Sequence, residues 1–206
     1  MHAKIGDVSP WTSLIDHLFS GKQEPRKWFE QWLAYPIQHP GTKLNTAAVL
    51  WSARQGAGKT MVGETVGKLY DSHFKTISAV ELHGAYNNWT KACQFVLGEE
   101  NASSDHRADS NKPKHLITGS TIVVNEKYQP SFELKNVMNF LFTSNHPDAF
   151  HLEDHDRRFF VWEIKADRLP DDFYSRFVDW RDNQGGLTAL PESEVRWFLV
   201  LRIAVI

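Results

Sequence analysis

Residues Ala53-Arg-Gln-Gly-Ala-Gly-Lys-Thr60 have the types and spacing needed to hold a phosphate chain. Glycine enters backbone conformations closed to other residues, so Gly56 and Gly58 let several N–H groups converge on one anion. Lys59 is placed to reach the β- and γ-phosphates, and the Thr60 hydroxyl to ligate Mg²⁺. The expected ATP-binding loop is therefore Ala53, Arg54, Gln55, Gly56, Ala57, Gly58, Lys59, Thr60 and Met61. Its leading position, usually glycine, holds Ala53. Alanine is small enough for a tight loop but cannot use positive φ freely.

A second chemical element lies about forty residues on. The apolar run Ala92-Cys-Gln-Phe-Val-Leu97 ends in Gly98-Glu99-Glu100. A buried strand that delivers two acids at its C-terminal end is the arrangement of a Walker B element, and open α/β sheets bind ligands at that edge. The expected division places Glu99 toward the Mg²⁺ shell and makes Glu100 the base that polarises the attacking water. The blander alternative is a solvated acidic turn.

These residues need rigid elements to hold them. Ala47-Ala-Val-Leu-Trp51 reads as a strand entering the phosphate loop. Met61 to Tyr70 reads as the helix leaving it, with Val62, Val66 and Leu69 at helical spacing. Upstream, Ser9 is expected as an N-cap followed by Pro10 at the first helical position, with Trp11, Leu14, Ile15, Leu18 and Phe19 as the apolar stripe and Gly21 as the end. A second helix is expected from Glu24-Pro25, with Trp28, Phe29, Trp32 and Leu33 on one face, stopping before Pro36. Two roles suit this pair equally: a docking or oligomerisation collar, or a cap over the sheet.

Further strands are expected at Phe74–Ile77, Asn136–Phe142, which ends in Thr143-Ser144-Asn145, and Arg157–Ile164. Val80 to Trp89 is either helix or loop. Thr121–Asn125 and Phe132–Leu134 flank the turn-like Glu126–Ser131 as a hairpin. Asn101 to Lys114 reads as a mobile polar loop leading into a short helix. His151–Asp156 reads as an acidic loop, and Leu169 to Asn183 as a helix broken at Gly185-Gly186. The chain thus divides into an N-terminal helical segment (1–45), an α/β core with a mostly parallel sheet (46–190) and a C-terminal tail (191–206).

Composition narrows the function classes. With 206 residues, 41% of them hydrophobic, and a net charge of −2, the chain reads as one ordinary globular domain. Near-neutral charge argues against bulk nucleic-acid binding, while leaving room for a local basic loop. One cysteine, Cys93, permits no internal disulfide and fits a reducing cytoplasm. Neither a signal peptide nor an apolar run long enough to span a bilayer is visible, so no membrane role is expected. The eight tryptophans are expected to serve mainly in packing. His146, His151 and His155, with Asp148, Asp154 and Asp156, match no common zinc spacing.

Taken together, the phosphate loop, the Glu99-Glu100 strand, the stretch Lys114-His-Leu-Ile-Thr-Gly-Ser-Thr-Ile-Val-Val-Asn-Glu-Lys-Tyr128, Phe142-Thr-Ser-Asn145 and Asp156-Arg-Arg-Phe159 resemble a superfamily 3 helicase of the phage and plasmid primase–helicase group. This group is related to the poxvirus-type primase-helicases. The similarity covers roughly residues 20 to 190 and rests on motif order as well as the motifs themselves. It implies an AAA+-like core that assembles as a hexameric ring, consumes ATP with Mg²⁺ and translocates on single-stranded DNA. A primase or other replication partner, and a bacterial host cytoplasm with a phage or mobile element as the source, are implied too.

By the same resemblance Asn145 falls on the sensor asparagine, Arg157 or Arg158 on the arginine finger, and Lys127 and Tyr128 on the tip of the DNA-contacting hairpin. The chemistry agrees. Asparagine orients water without titrating, and arginine matches the charge on a transferring phosphoryl group. The blander alternatives pair both arginines with Asp154 or Asp156, and Lys127 with Glu126. Two other functions are weighed: an ATP-binding regulatory or interaction subunit of a replication or defence complex without unwinding activity, and a small-molecule P-loop kinase. The hairpin before Asn145 argues against the kinase, which needs an acceptor site and a lid there.

Overall fold

The computed structural model describes residues 6–100, 111–146 and 156–192. Five short strands, β1 (Ala47–Trp51), β2 (Phe74–Ser78), β3 (Phe95–Glu100), β6 (Asn139–Ser144) and β7 (Phe159–Glu163), form one sheet. Its order is β2-β3-β6-β1-β7, and every pairing is parallel. Parallel sheets require cover on both faces, and the pleat divides the apolar residues between them. Ala48, Leu50, Phe95, Leu97 and Leu141 face one core, while Ala47, Val49, Val96, Phe140 and Phe142 face the other.

The first core is covered by α1 (Ser9–Phe19), α2 (Gln23–Gln38), α3 (Lys59–Leu69) and α6 (Asp171–Asn183), with α7 (Gly186–Glu192) beside them. All five stripe residues of α1 are buried. Trp28 stacks on Phe160 at 4.2 Å and Trp162 on Phe19 at 5.1 Å, so aromatic rings fasten the two N-terminal helices to β7. The indole N–H of Trp162 donates to the Leu18 carbonyl and that of Trp32 to the Thr46 carbonyl. The helical pair therefore packs over the sheet, as a cap does.

The second core lies under α4 (Ala79–His83), α5 (Asn111–Thr118) and an antiparallel hairpin of β4 (Thr121–Val124) and β5 (Phe132–Lys135). The hairpin has the expected position and register type. Ile122 and Val124 point into the core and Val123 outward, the alternation expected of a half-buried strand.

Several sequence expectations need correction. Ser9 is not the cap of α1 but its first residue. Asp7 accepts both the Ser9 amide and the Ser9 hydroxyl, so the carboxylate two residues earlier satisfies the first amide of the helix. Helix α2 does not stop before Pro36 but continues to Gln38. Proline forfeits one hydrogen bond near the helix end, yet Pro36 is buried and the closing bond, His39 N–H to the Tyr35 carbonyl, is intact. Strands β3 and β6 each begin about three residues later than expected, which carries Glu99, Glu100, Thr143 and Ser144 into regular strand. Helix α7 falls across the expected boundary between core and tail.

Lys43, on the connector into β1, is half-buried and donates to the Met138 carbonyl at 2.8 Å. Burial holds its ammonium down at about 8, below its ordinary 10.5. The unfolded chain therefore binds more protons between those values, so stability should rise as pH increases across that window. Lys43→Met should remove a slope on the order of 2 kcal/mol, measured by denaturant unfolding at pH 7.5 and 10.

Candidate functional site

The chain leaves β1 at Trp51 and makes a tight loop before α3 begins at Lys59. Gly56 and Gly58 have φ of +78° and +100°, and they are the only residues of the loop with positive φ. Ala53 is outside that region, so its side chain introduces no strain. A Cβ on Gly58 would come within 2.8 Å of Leu14, and one on Gly56 within 3.1 Å of Arg168. The glycines are thus required by backbone conformation and by space, and the cradle they leave faces outward at the start of α3.

Above the loop is an open cleft of about 810 Å³. Gln55 to Met61 line it, as do Glu99, Thr143, Ser144 and Asn145. Ala53 and Arg54 do not. Arg54 instead forms an exposed ion pair with Asp167. Sheet order explains the convergence. Strand β6 lies between β1 and β3, and all three end at the same edge, so Asn145 emerges between Lys59 and Glu99. This is the edge at which open parallel sheets bind ligands.

Lys59 is only 7% exposed. Its ammonium donates to Ser52 Oγ at 2.5 Å and to Asn145 Oδ1 at 3.0 Å, while the Ser52 hydroxyl donates to the Arg54 carbonyl. Burial lowers its pKa. A desolvated cation held by neutral oxygens interacts strongly with an arriving anion, which restores the lost solvation. Thr60 and Glu99 offer a hydroxyl and a carboxylate, hard oxygen donors of the kind Mg²⁺ takes. Glu99 is exposed in the cleft, and Glu100 sits opposite Ser144 in the sheet register.

Two groups of expected site residues lie elsewhere. Arg157 and Arg158 precede β7, at the opposite edge of the sheet from the Gly56–Gly58 loop. Five residues of strand separate the two edges by about 13 Å. Arg158 makes a two-pronged pair with Asp156, both contacts at 2.7 Å, and its carbonyl accepts the Ala47 amide. That pair holds the Asp156 carboxyl below its ordinary range. The blander alternative thus describes Arg158, while Arg157 is exposed. Asp154, His151 and His155 lie outside the described residues.

Lys127 and Tyr128 occupy the hairpin tip, with Tyr128 88% exposed at φ +65° and the Lys127 ammonium 5.0 Å from its ring centre. Glu126 is paired with Lys91, not Lys127. The alternative that Glu126 neutralises the tip lysine is therefore set aside. Asn87 accepts the Asn125 amide at 2.6 Å and donates to the Val123 carbonyl at 2.9 Å, which steadies the hairpin from the chain leading into β3.

Residues missed from sequence also line the cleft. Thr143 is a buried strand-end group, and Arg168, Asp171, Tyr174 and Ser175 come from the segment after β7, while the buried Ser52 stands behind Lys59 without lining the cleft. No motif marks them. Only the position of β7 beside β1 brings that segment over the loop.

Residues 50–158 match the model of a family of unknown function, DUF5906. The DNA primase-polymerase of Nitratiruptor phage NrS-1 is 28% identical over 156 residues, which is 73% of this chain and 21% of that protein. The chain spans about a fifth of this relative's length. Two apo structures of the NrS-1 C-terminal region share the fold, with TM-scores of 0.77 and 0.80 at 24% and 22% identity. They align over 91% and 93% of this chain and 46% and 47% of theirs. Among the described residues, no helix is long and apolar enough to cross a membrane.

Proposed function

The chain belongs to the DUF5906 family, and on that premise we propose that it is the ATP-hydrolysing motor of a phage-type DNA replication protein, an AAA+-like P-loop domain of superfamily 3 that moves along single-stranded DNA. One observation carries this reading: Lys59, Thr60, Glu99 and Asn145, from three separate strand ends, line a single cleft above a loop with two positive-φ glycines. Structural ion-pair networks also gather charged groups. Lys59, by contrast, is held by the neutral oxygens of Ser52 and Asn145 and lines the open cleft.

Each residue then has a task. Loop amides and the α3 N-terminus receive the phosphates, and Lys59 exchanges its Ser52 and Asn145 contacts for phosphate oxygens. Thr60 and Glu99 would hold Mg²⁺, which neutralises charge developing on the transferred phosphoryl group. Asn145, released from Lys59, orients the attacking water, and Glu100 takes its proton. Arg157, at the far edge of the sheet, acts on a neighbour's nucleotide, which makes a ring the natural assembly. Hydrolysis is then coupled between subunits.

The hairpin supplies the DNA contact. Lys127 offers a phosphate contact and Tyr128 an aromatic face, the two elements of sequence-independent single-strand binding. Six tips facing a ring centre would concentrate positive charge in a chain whose net charge is −2. The kinship to the phage DNA primase-polymerase supports a replication role. Lys127→Ala should keep basal ATP hydrolysis within about twofold while stimulation by single-stranded DNA falls about tenfold or more. Equal stimulation in both proteins would remove the hairpin from the mechanism.

A further inference from the structure

The cleft extends beyond the residues that the phosphates and metal require. Strands β3 and β6 lie on one side of β1 and bring Glu99 and Asn145. Strand β7 lies on the other side, and the segment that follows it lines the opposite end of the cleft. There the Arg168 stem lies against Gly56, at 3.1 Å from where a Cβ would stand. Its guanidinium pairs with Asp171, both groups exposed. The Tyr174 hydroxyl donates to the Gly56 carbonyl at 2.6 Å and accepts the Leu169 amide at 3.0 Å.

The chemistry of this end differs from that of the other. Lys59 and the loop amides offer uncompensated positive charge, whereas Arg168 and Asp171 cancel. A carboxylate only accepts hydrogen bonds, so Asp171 repels phosphate but suits the hydroxyls of a sugar. A guanidinium presents a flat face on which a heteroaromatic base can stack. With phosphates seated on the loop and the γ-end at Asn145, the rest of a nucleotide runs toward this wall.

Resting on the phosphate-site reading, we infer that Arg168 and Asp171 form the nucleoside-recognition end of the cleft, Asp171 taking ribose hydroxyls and Arg168 the base. Tyr174 is a positioning residue that fixes the Gly56 peptide between the two halves. The ligand class is a ribonucleoside di- or triphosphate bound through both ends, not a bare polyphosphate.

The test titrates inorganic tripolyphosphate, ATP and ADP into the full chain and into Arg168→Ala/Asp171→Ala. Both side chains are exposed and paired with each other, so removing both leaves no buried charge; equal thermal midpoints check the fold. The double variant should bind tripolyphosphate within about twofold of the unaltered chain and both nucleotides at least about tenfold more weakly. Unchanged ATP affinity, or equal loss for ATP and tripolyphosphate, overturns the nucleoside assignment. Failure of the unaltered chain to bind either ligand overturns the phosphate site itself, a different result from the other two.

Discussion

Lys59→Ala is expected to slow ATP hydrolysis by a factor on the order of 10³, because the phosphates lose a cation held in a desolvated site. Nucleotide affinity should fall with it. Stability should behave differently. Burial depresses the pKa of Lys59, so the folded state holds its proton less tightly than the unfolded chain does. At neutral pH the charged side chain therefore opposes folding. Lys59→Met, which keeps the volume, should accordingly hold or raise the thermal midpoint while activity is lost. A variant that loses stability and activity together would make Lys59 a packing residue, and a variant with normal turnover would remove the phosphate site. Phosphate release and thermal melting on the same preparations decide this.

The second large effect concerns the two arginines. Arg157→Ala should lower hydrolysis about 10³-fold while nucleotide binding stays within about twofold, since the residue cannot reach its own chain's cleft from the far sheet edge. Mixing Arg157→Ala with Lys59→Ala protein should restore part of the activity, because some interfaces then join an intact cleft to an intact finger. Arg158→Ala should act otherwise. It breaks the pair with Asp156 and should reduce stability by about 1 kcal/mol, with no rescue on mixing. Rescue by Arg158→Ala and none by Arg157→Ala would exchange the two assignments.

Much of this site could be read in advance because its signals are local. A glycine-bearing loop between an apolar strand and an amphipathic helix announces itself within about twenty residues. The hairpin was legible for the same reason, from alternation on both sides of a turn. Other parts depend on strand order, which no local pattern encodes. The insertion of β6 between β1 and β3 brings Asn145 to Lys59, and the placement of β7 beside β1 brings Arg168 over Gly56. The Arg157-Arg158 dipeptide shows the limit most clearly. Two adjacent, chemically identical residues differ only in that Arg158 turns back to Asp156. Pro36 and Ser9 were misjudged where tertiary burial and the neighbouring Asp7 outweigh the local rule.

Consumption of ATP in this cleft for movement on DNA is measured most directly as phosphate release from Mg²⁺·ATP by the unaltered chain, with and without single-stranded DNA. Steady turnover that requires Mg²⁺ and rises several-fold, to about tenfold, when DNA is added is the expected result. Absence of hydrolysis under both conditions, or turnover that DNA leaves unchanged, would contradict it.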